Sequence, residues 1–178
     1  MPARQQHGFD YEQDVANRYG VILDNNHYTA MWDGMMNNIP VSIKTHKKGS
    51  GPELGSWHRQ FTIDYDFYMI VGFWEGDKSN IVEEYCLFIP GKEYHSYFID
   101  ITEDVQNVFS SCSNDRKDDE KWQKMKNAVT KKWKTETPNI ISLNWKRDHK
   151  KQKRLQCSIR KSVFYDEFVR RYNVDRNN

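Results

Sequence analysis

The sequence is poor in cysteine and has no long apolar run. Its three cysteines, Cys86, Cys112 and Cys157, stand far apart among 178 residues. Their odd number and wide spacing predict neither a disulfide framework nor a zinc site, and they indicate a reducing compartment. No stretch approaches the roughly 18 consecutive apolar residues that mark a membrane span. The first residues of the chain also lack the apolar core of a secretory signal. We therefore expect a soluble, cytoplasmic domain with no membrane association.

Two kinds of small-ligand site are also missing from the sequence. The six histidines show no metal-ligand spacing. No glycine-rich phosphate loop is present, so we expect no nucleotide cofactor. Aromatic residues, in contrast, make up 14% of the chain, which is too many for a disordered protein. The length suits one domain, and we predict a single domain over residues 1–178.

Charge is distributed unevenly along the chain. Residues 1–120 contain 10 Lys and Arg against 20 Asp and Glu, a net charge of −10. Residues 121–178 contain 17 against 5, a net charge of +12. Such asymmetry favours a polyanionic partner, because a basic surface releases counterions when it neutralises phosphates. The sequence thus predicts an acidic part over 1–110 and a basic part over 120–178.

The pattern of apolar residues predicts a mixture of helices and strands. Apolar side chains recur every three or four positions over residues 9–19, 121–134 and 163–172, as in amphipathic helices. Short apolar segments at 28–32, 39–45, 67–74, 85–89, 139–145 and 155–159 predict strands, with a further short one at 97–101. Gly, Ser and Pro predict a loop over 47–56, and Thr102 is a plausible helix N-cap. These elements predict an α/β fold.

One set of polar residues stands out within these elements. Glu12 lies within the apolar stripe of the first helix, and Asp33 lies at a predicted hairpin. On the next strand, alternation places Val41 and Ile43 on one face and Ser42 and Lys44 on the other. A carboxylate and an amine held on adjacent strands suit a Mg²⁺ ion and an activated water. The backbone carbonyl of Ile43 is a further candidate oxygen ligand.

The segments GFDYEQDV, MWDGMMNNIPVSIK and DFYMIVGFW follow one another between Gly8 and about Trp74. In order and spacing they resemble the PD-(D/E)XK nuclease superfamily, and in particular small type II restriction endonucleases. The resemblance implies a restriction-endonuclease-like mixed central sheet flanked by helices, and Mg²⁺-dependent hydrolysis of DNA. It makes Asp33 the metal-binding aspartate, Lys44 the catalytic lysine and Glu12 a supporting acid.

The sequence departs from the family at one position. The family usually has an acid two residues before the lysine, where this chain has Ser42. Three replacements are open: Glu12, Glu53 from the following loop, or a water held by Ser42. A fourth reading is that the chain binds DNA without cutting it.

Basic and polar residues outside this set are candidates for contacts with DNA. They lie after the Lys44 strand, in the segment GSWHRQF, and in a basic hairpin near the C-terminus: Lys47, Lys48, His58, Arg59, Gln60, Lys146, Arg147, Lys150, Lys151, Lys153 and Arg154. We expect a Mg²⁺-dependent, sequence-specific endonuclease for double-stranded DNA that acts as a homodimer, since palindromic sites match two-fold symmetry. The alternatives are an inactive DNA-binding module and a repair or junction-resolving nuclease of the same fold.

Overall fold

The computed structural model describes residues 3–24, 31–111, 120–147 and 153–174. The chain forms two compact units, each built from separate segments of sequence. The first unit consists of Met1–Pro52, Asp64–Glu93 and Arg160–Asn178, and the second of Glu53–Ile63 and Tyr94–Ile159. These units do not coincide with the acidic and basic parts of the sequence. Charge still separates between them, because the first unit holds 12 basic and 15 acidic residues and the second 15 and 10.

The first unit contains a five-stranded mixed sheet with helical segments on both of its faces. It begins with helix α1 (Ala3–Tyr19) and continues with strands β1 (Ile22–Leu23), β2 (Gly34–Met36) and β3 (Ile39–Lys47). After the chain has passed through β4 (Glu53–Ser56) and α2 (Trp57–Phe61) of the second unit, it forms β5 (Phe67–Trp74) and β6 (Ile81–Ile89). The strand order is β1-β2-β3-β5-β6. The β3 and β5 strands are parallel and the other neighbours antiparallel, so the α/β class with a mixed sheet is confirmed.

The two faces of this sheet have different partners. Val41 and Ile43 of β3 are buried in one cluster with Tyr11 and Val15 of α1, and we call this the helix face. Ser42 and Lys44 alternate onto the opposite face, which we call the site face. At β5 and β6 the site face is covered by the C-terminal helix, which runs through α6 (Lys161–Val163), a six-residue π-helical segment (Phe164–Val169) and α7 (Arg170–Tyr172).

A carboxylate on β6 fastens α1 to the sheet. Glu84 accepts hydrogen bonds from the Tyr11 and Tyr19 hydroxyls at 2.8 Å each and two from the Arg18 guanidinium at 2.6 Å each. Burial alone would raise the pKa of Glu84, but the bonds from Arg18 and the tyrosines outweigh it and hold the pKa below its usual value. The helix is thereby fixed over the helix face.

The second unit has a three-stranded antiparallel sheet and its own core. After α3 (Gly91–His95), which spans the boundary between the units, the chain forms α4 (Thr102–Ser110), α5 (Glu120–Glu136), β7 (Ile141–Arg147) and β8 (Lys153–Ile159). The strand order is β4-β8-β7. The face of α5 that carries Trp122, Val129 and Trp133 is buried, and Trp133 donates to the carbonyl of Ile141 at 2.8 Å. These tryptophans belong to the core of the second unit.

Several boundaries differ from the sequence prediction. The predicted loop over 47–56 is wrong at its end, because residues 53–56 pair with β8. The predicted strand at 97–101 is also wrong: these residues follow α3 in a turn. Thr102 is the first residue of α4, and Ile101 occupies the N-cap position. Cys86 and Cys157 are both buried. Within the described ranges, no helix is long and apolar enough to cross a membrane.

Candidate active site

A tight hairpin positions the aspartate that the sequence singled out. Asn37 and Asn38 both have positive φ, 52° and 64°, and form a two-residue turn between β2 and β3. Asparagine tolerates this left-handed backbone better than most residues, and such turns match the twist of paired strands. The register pairs Gly34 with Val41, and Asp33 directly precedes this first paired residue of β2. The backbone N–H of Asp33 donates to the Val41 carbonyl at 2.9 Å. The predicted strand at 28–32 is therefore displaced: β2 follows Asp33, and residues 28–30 lie outside the described ranges.

The Asp33 carboxylate is held by β3. Its Oδ2 accepts the Ile43 backbone N–H at 2.6 Å, the Lys44 ammonium at 3.0 Å and the Ser42 hydroxyl at 3.4 Å. Oδ1 has no hydrogen-bond partner among the described residues. The carboxylate is thus fixed through one oxygen and presents the other.

The Lys44 ammonium contacts two oxygens that were predicted from the sequence to be metal ligands. Its Nζ lies 3.0 Å from Asp33 Oδ2 and 3.0 Å from the Ile43 carbonyl oxygen. The side chains of Lys44 and Asp33 are 27% and 25% exposed, so solvent and substrate have access to both. A carboxylate and a carbonyl that converge on one cationic group are hard oxygen donors, and Mg²⁺ commonly takes few protein oxygens and keeps several waters. Asp33 and the Ile43 carbonyl therefore present two oxygen donors of the kind that Mg²⁺ takes.

The two acids proposed to compensate for Ser42 lie on other elements. Glu12 is half-buried on α1, whose core residues pack on the helix face, whereas Asp33 and Lys44 lie on the site face. Glu53 begins β4, in the second unit. Across the described residues, no three His, Cys, Asp or Glu side chains are grouped closely enough to hold a metal ion. Neither Glu12 nor Glu53 is seen to complete the donor set.

The two lysines after Lys44 have different surroundings. Lys47 is exposed at the end of β3. Lys48 lies 3.7 Å from a carboxylate oxygen of Glu75 and 3.6 Å from one of Glu83. The pKa of Glu83 is lowered mainly by the hydroxyl of Tyr165, with Lys48 contributing. Part of the charge of Lys48 is therefore balanced within the first unit, which leaves Lys47 as the better candidate for a phosphate contact.

In the second unit, distant parts of the sequence meet around one cavity. His58, Lys153 and Arg154 line a cavity of about 220 Å³ together with the aromatic side chains of Trp57 and Phe109. His58 and Arg59 are exposed. Three candidate DNA contacts from two distant segments, His58 from one and Lys153 and Arg154 from the other, are thus brought to one cavity.

Gln60 differs from its neighbours in this segment. Its amide nitrogen donates to the Leu54 carbonyl at 2.9 Å, and its amide oxygen accepts a hydrogen bond from the Tyr94 hydroxyl. Both ends of the amide are engaged inside the second unit. Gln60 therefore holds Leu54 and Tyr94 together within this unit. A contact between its amide and DNA would require these two hydrogen bonds to break.

The basic hairpin carries like charges on neighbouring strands. Lys146 stands opposite Arg154, and Arg147 opposite Lys153, in the antiparallel register of β7 and β8. Like charges directly across a sheet are destabilising, and a bound polyanion relieves that repulsion. The tip of this hairpin, with Lys150 and Lys151, lies outside the described residues.

An aromatic pair next to Asp33 was not predicted from the sequence. Trp32 donates from its indole Nε1 to the Tyr65 hydroxyl at 2.8 Å, and its ring packs on Phe67 with centroids 5.1 Å apart. A tryptophan immediately before the candidate metal ligand was visible in the sequence. Its contact with Tyr65, across 33 positions of chain, was not.

Comparisons of this chain with protein-family models, with curated proteins and with solved structures found no match. The case for a function therefore rests on the geometry of the chain itself.

Proposed function

We propose that the protein is a Mg²⁺-dependent endonuclease that cuts double-stranded DNA at specific sequences, with a restriction-endonuclease-like fold. The observation that carries the proposal is the convergence of Asp33 Oδ2 and the Ile43 carbonyl on the Lys44 ammonium, 3.0 Å from each. These residues lie on a hairpin followed in the sheet by a parallel strand, in the order expected from the resemblance.

Each residue of the cluster has a chemical role in this proposal. Asp33 and the Ile43 carbonyl would hold the ion, which when bound polarises a phosphate and activates a water. Lys44, a cation beside both oxygens, orients the attacking water and offsets negative charge that develops on the phosphate. The backbone N–H of Ile43 fixes the carboxylate and so maintains the spacing between acid and lysine.

The second unit supplies positive charge for the duplex in this proposal. Its charge separation from the first unit and the like-charged pair Lys146 and Arg154 both favour a polyanionic partner. Cutting both strands of a palindromic site would require two copies of the chain.

Ser42 favours a second candidate function. Its hydroxyl lies 3.4 Å from Asp33 Oδ2, where the family usually has a second carboxylate. A neutral hydroxyl binds a cation more weakly, and a protein with this site could retain DNA binding without cleavage. The same fold also admits a repair or junction-resolving nuclease, which structure-selective cutting would reveal.

The test is cleavage of a supercoiled plasmid with Mg²⁺ and with EDTA. We expect Mg²⁺-dependent discrete fragments, and Asp33→Asn and Lys44→Ala should each lower the rate by about a hundredfold or more. Asp64→Asn and Lys92→Ala remove an exposed acid and an exposed lysine from the same unit and are the matched controls.

Three results separate the candidates. Cleavage that survives in Asp33→Asn refutes the proposed site. An intact plasmid that nevertheless shifts on a gel, with affinity falling steeply as salt rises, identifies a DNA-binding module. Preferential cutting of branched or mismatched duplexes identifies a structure-selective nuclease.

A further inference from the structure

A cavity opens beside the candidate metal ligand on the first unit. It has a volume of about 320 Å³, and Asp33 itself stands between two of its lining residues, Trp32 and Gly34. Small-molecule sites occupy roughly 300–1,000 Å³, so this cavity is the size of a single small planar group. Whatever it binds lies next to the backbone that carries Asp33.

The walls of the cavity are apolar and one of them is a fixed aromatic ring. The indole of Trp32 packs on Phe67, and its N–H is held by the Tyr65 hydroxyl, so its orientation is set before any ligand arrives. Met31 and Met35 also line the cavity. A preoriented aromatic ring flanked by polarizable thioethers suits stacking against another π-system.

Solvent-exposed apolar side chains are concentrated around this cavity. Among the described residues five large apolar side chains are exposed. Two of them, Ile22 at 77% and Met35 at 40%, line the cavity, and a third, Tyr65 at 41%, contacts the lining residue Trp32. The exposed Asp24 also lines the cavity and brings a carboxylate acceptor to an otherwise apolar wall. An apolar patch with a few polar groups is typical of a binding site.

We propose that this cavity binds a nucleobase that has left the base stack next to the cleaved phosphate, with Trp32 as its stacking partner. The inference rests on the proposed nuclease function, and it adds to it a base subsite beside the catalytic cluster. Stacking of an aromatic side chain on an unpaired base is favourable whichever base it is. Enzymes that extrude a base from the duplex use this stacking to offset the cost of unstacking it.

The test compares two single-stranded DNA decamers in EDTA, one with bases and one with the same backbone but abasic throughout. Fluorescence anisotropy of labelled decamers gives both dissociation constants. The phosphate contacts are the same in the two probes, so the ratio isolates the bases. We expect the base-bearing decamer to bind the wild-type protein at least about fivefold more tightly, which corresponds to stacking of one base.

Trp32 variants assign the effect to this cavity. Trp32→Ala should abolish the ratio without weakening the abasic decamer, while Trp32→Phe, which keeps a ring, should retain most of it. Val82→Ala removes another exposed apolar side chain and is the control, for which we expect the wild-type ratio. Thermal unfolding of each variant checks that it is folded.

The outcomes are distinct from those of the cleavage test. Equal affinity for the two decamers, or a ratio unchanged in Trp32→Ala, overturns the base subsite even if the plasmid is cut. A ratio that depends on Trp32 supports it even if the plasmid stays intact. A dimer in sedimentation that Met35→Ser dissociates, with no dependence on bases, would assign the patch to self-association and overturn the proposal.

Discussion

Ser42→Asp would restore the carboxylate that the restriction-endonuclease resemblance leads one to expect. The Ser42 hydroxyl lies 3.4 Å from Asp33 Oδ2, so the new carboxylate would face Asp33 at about that distance. Two unit charges so placed repel by about 5 kcal/mol at an effective dielectric constant near 20, and by about 1 kcal/mol in water. The Asp33 side chain is 25% exposed and Lys44 is 3.0 Å away, which reduces the repulsion. We expect the variant to lose about 1–3 kcal/mol of unfolding free energy without metal.

Urea unfolding in EDTA and in excess Mg²⁺ measures this effect. Ser42→Asn is the control, since it has nearly the same shape without the charge. In EDTA Ser42→Asp should be less stable than the control, and Mg²⁺ should restore its stability, because a ligand at a hundred times its dissociation constant stabilises the native state by about 2.7 kcal/mol. Equal stability of the two variants in EDTA would show that residue 42 does not face Asp33. A destabilised variant that ignores Mg²⁺ would refute the metal site.

Two further predictions concern the attachment of α1. Glu84→Gln should cost about 2–3 kcal/mol at neutral pH, because it removes the charged partner of Arg18. The pKa of Glu84 is lower in the folded protein than its ordinary value of 4.5, so this stabilisation is present above that value and is lost as the pH falls through the lowered folded pKa. Urea unfolding at neutral and acidic pH should show the gap between wild type and variant closing in acid. Gly72→Ala should cost about 1–3 kcal/mol, because a Cβ there would meet the buried Tyr11 ring at 2.5–3.0 Å.

Each has a matched control in α1. Asp14→Asn removes the other, exposed partner of Arg18 and should cost less than about 1 kcal/mol. Gly8→Ala should stabilise by about 0.5–1 kcal/mol, because no atom of the described residues lies within 4 Å of the added Cβ and alanine favours a helix. A gap for Glu84→Gln that stays constant down to acidic pH, or a Gly72→Ala variant as stable as Gly8→Ala, would contradict the corresponding argument.

Short-range patterns in the sequence predicted the centre of the candidate site well. The alternation from Val41 to Lys44 placed the lysine away from the core, because successive side chains of any strand point to opposite faces. The proximity of Asp33 and Lys44 followed from the predicted hairpin, whose turn the structure places at Asn37 and Asn38. Both inferences concern stretches of fewer than about a dozen residues, in which local backbone geometry sets the positions of the side chains.

Contacts between distant residues required the tertiary structure. Helical periodicity correctly placed Glu12 on α1, but only packing showed that this helix covers the face opposite Asp33. Gln60 looked available for DNA until its amide was found bonded to Leu54 and Tyr94. Lys48 likewise meets acids from later strands.

The α/β class, the strand that carries Lys44 and the separation of charge along the chain could all be predicted from the amino-acid sequence. This was possible because periodicity and composition are local or additive properties of a chain. Two features could be found only in the folded protein: the cavity beside Asp33, where Trp32 is held by Tyr65, and the cavity that His58 and Arg154 line together. Such contacts depend on which faces pack together, and that choice is made by the whole core rather than by any segment.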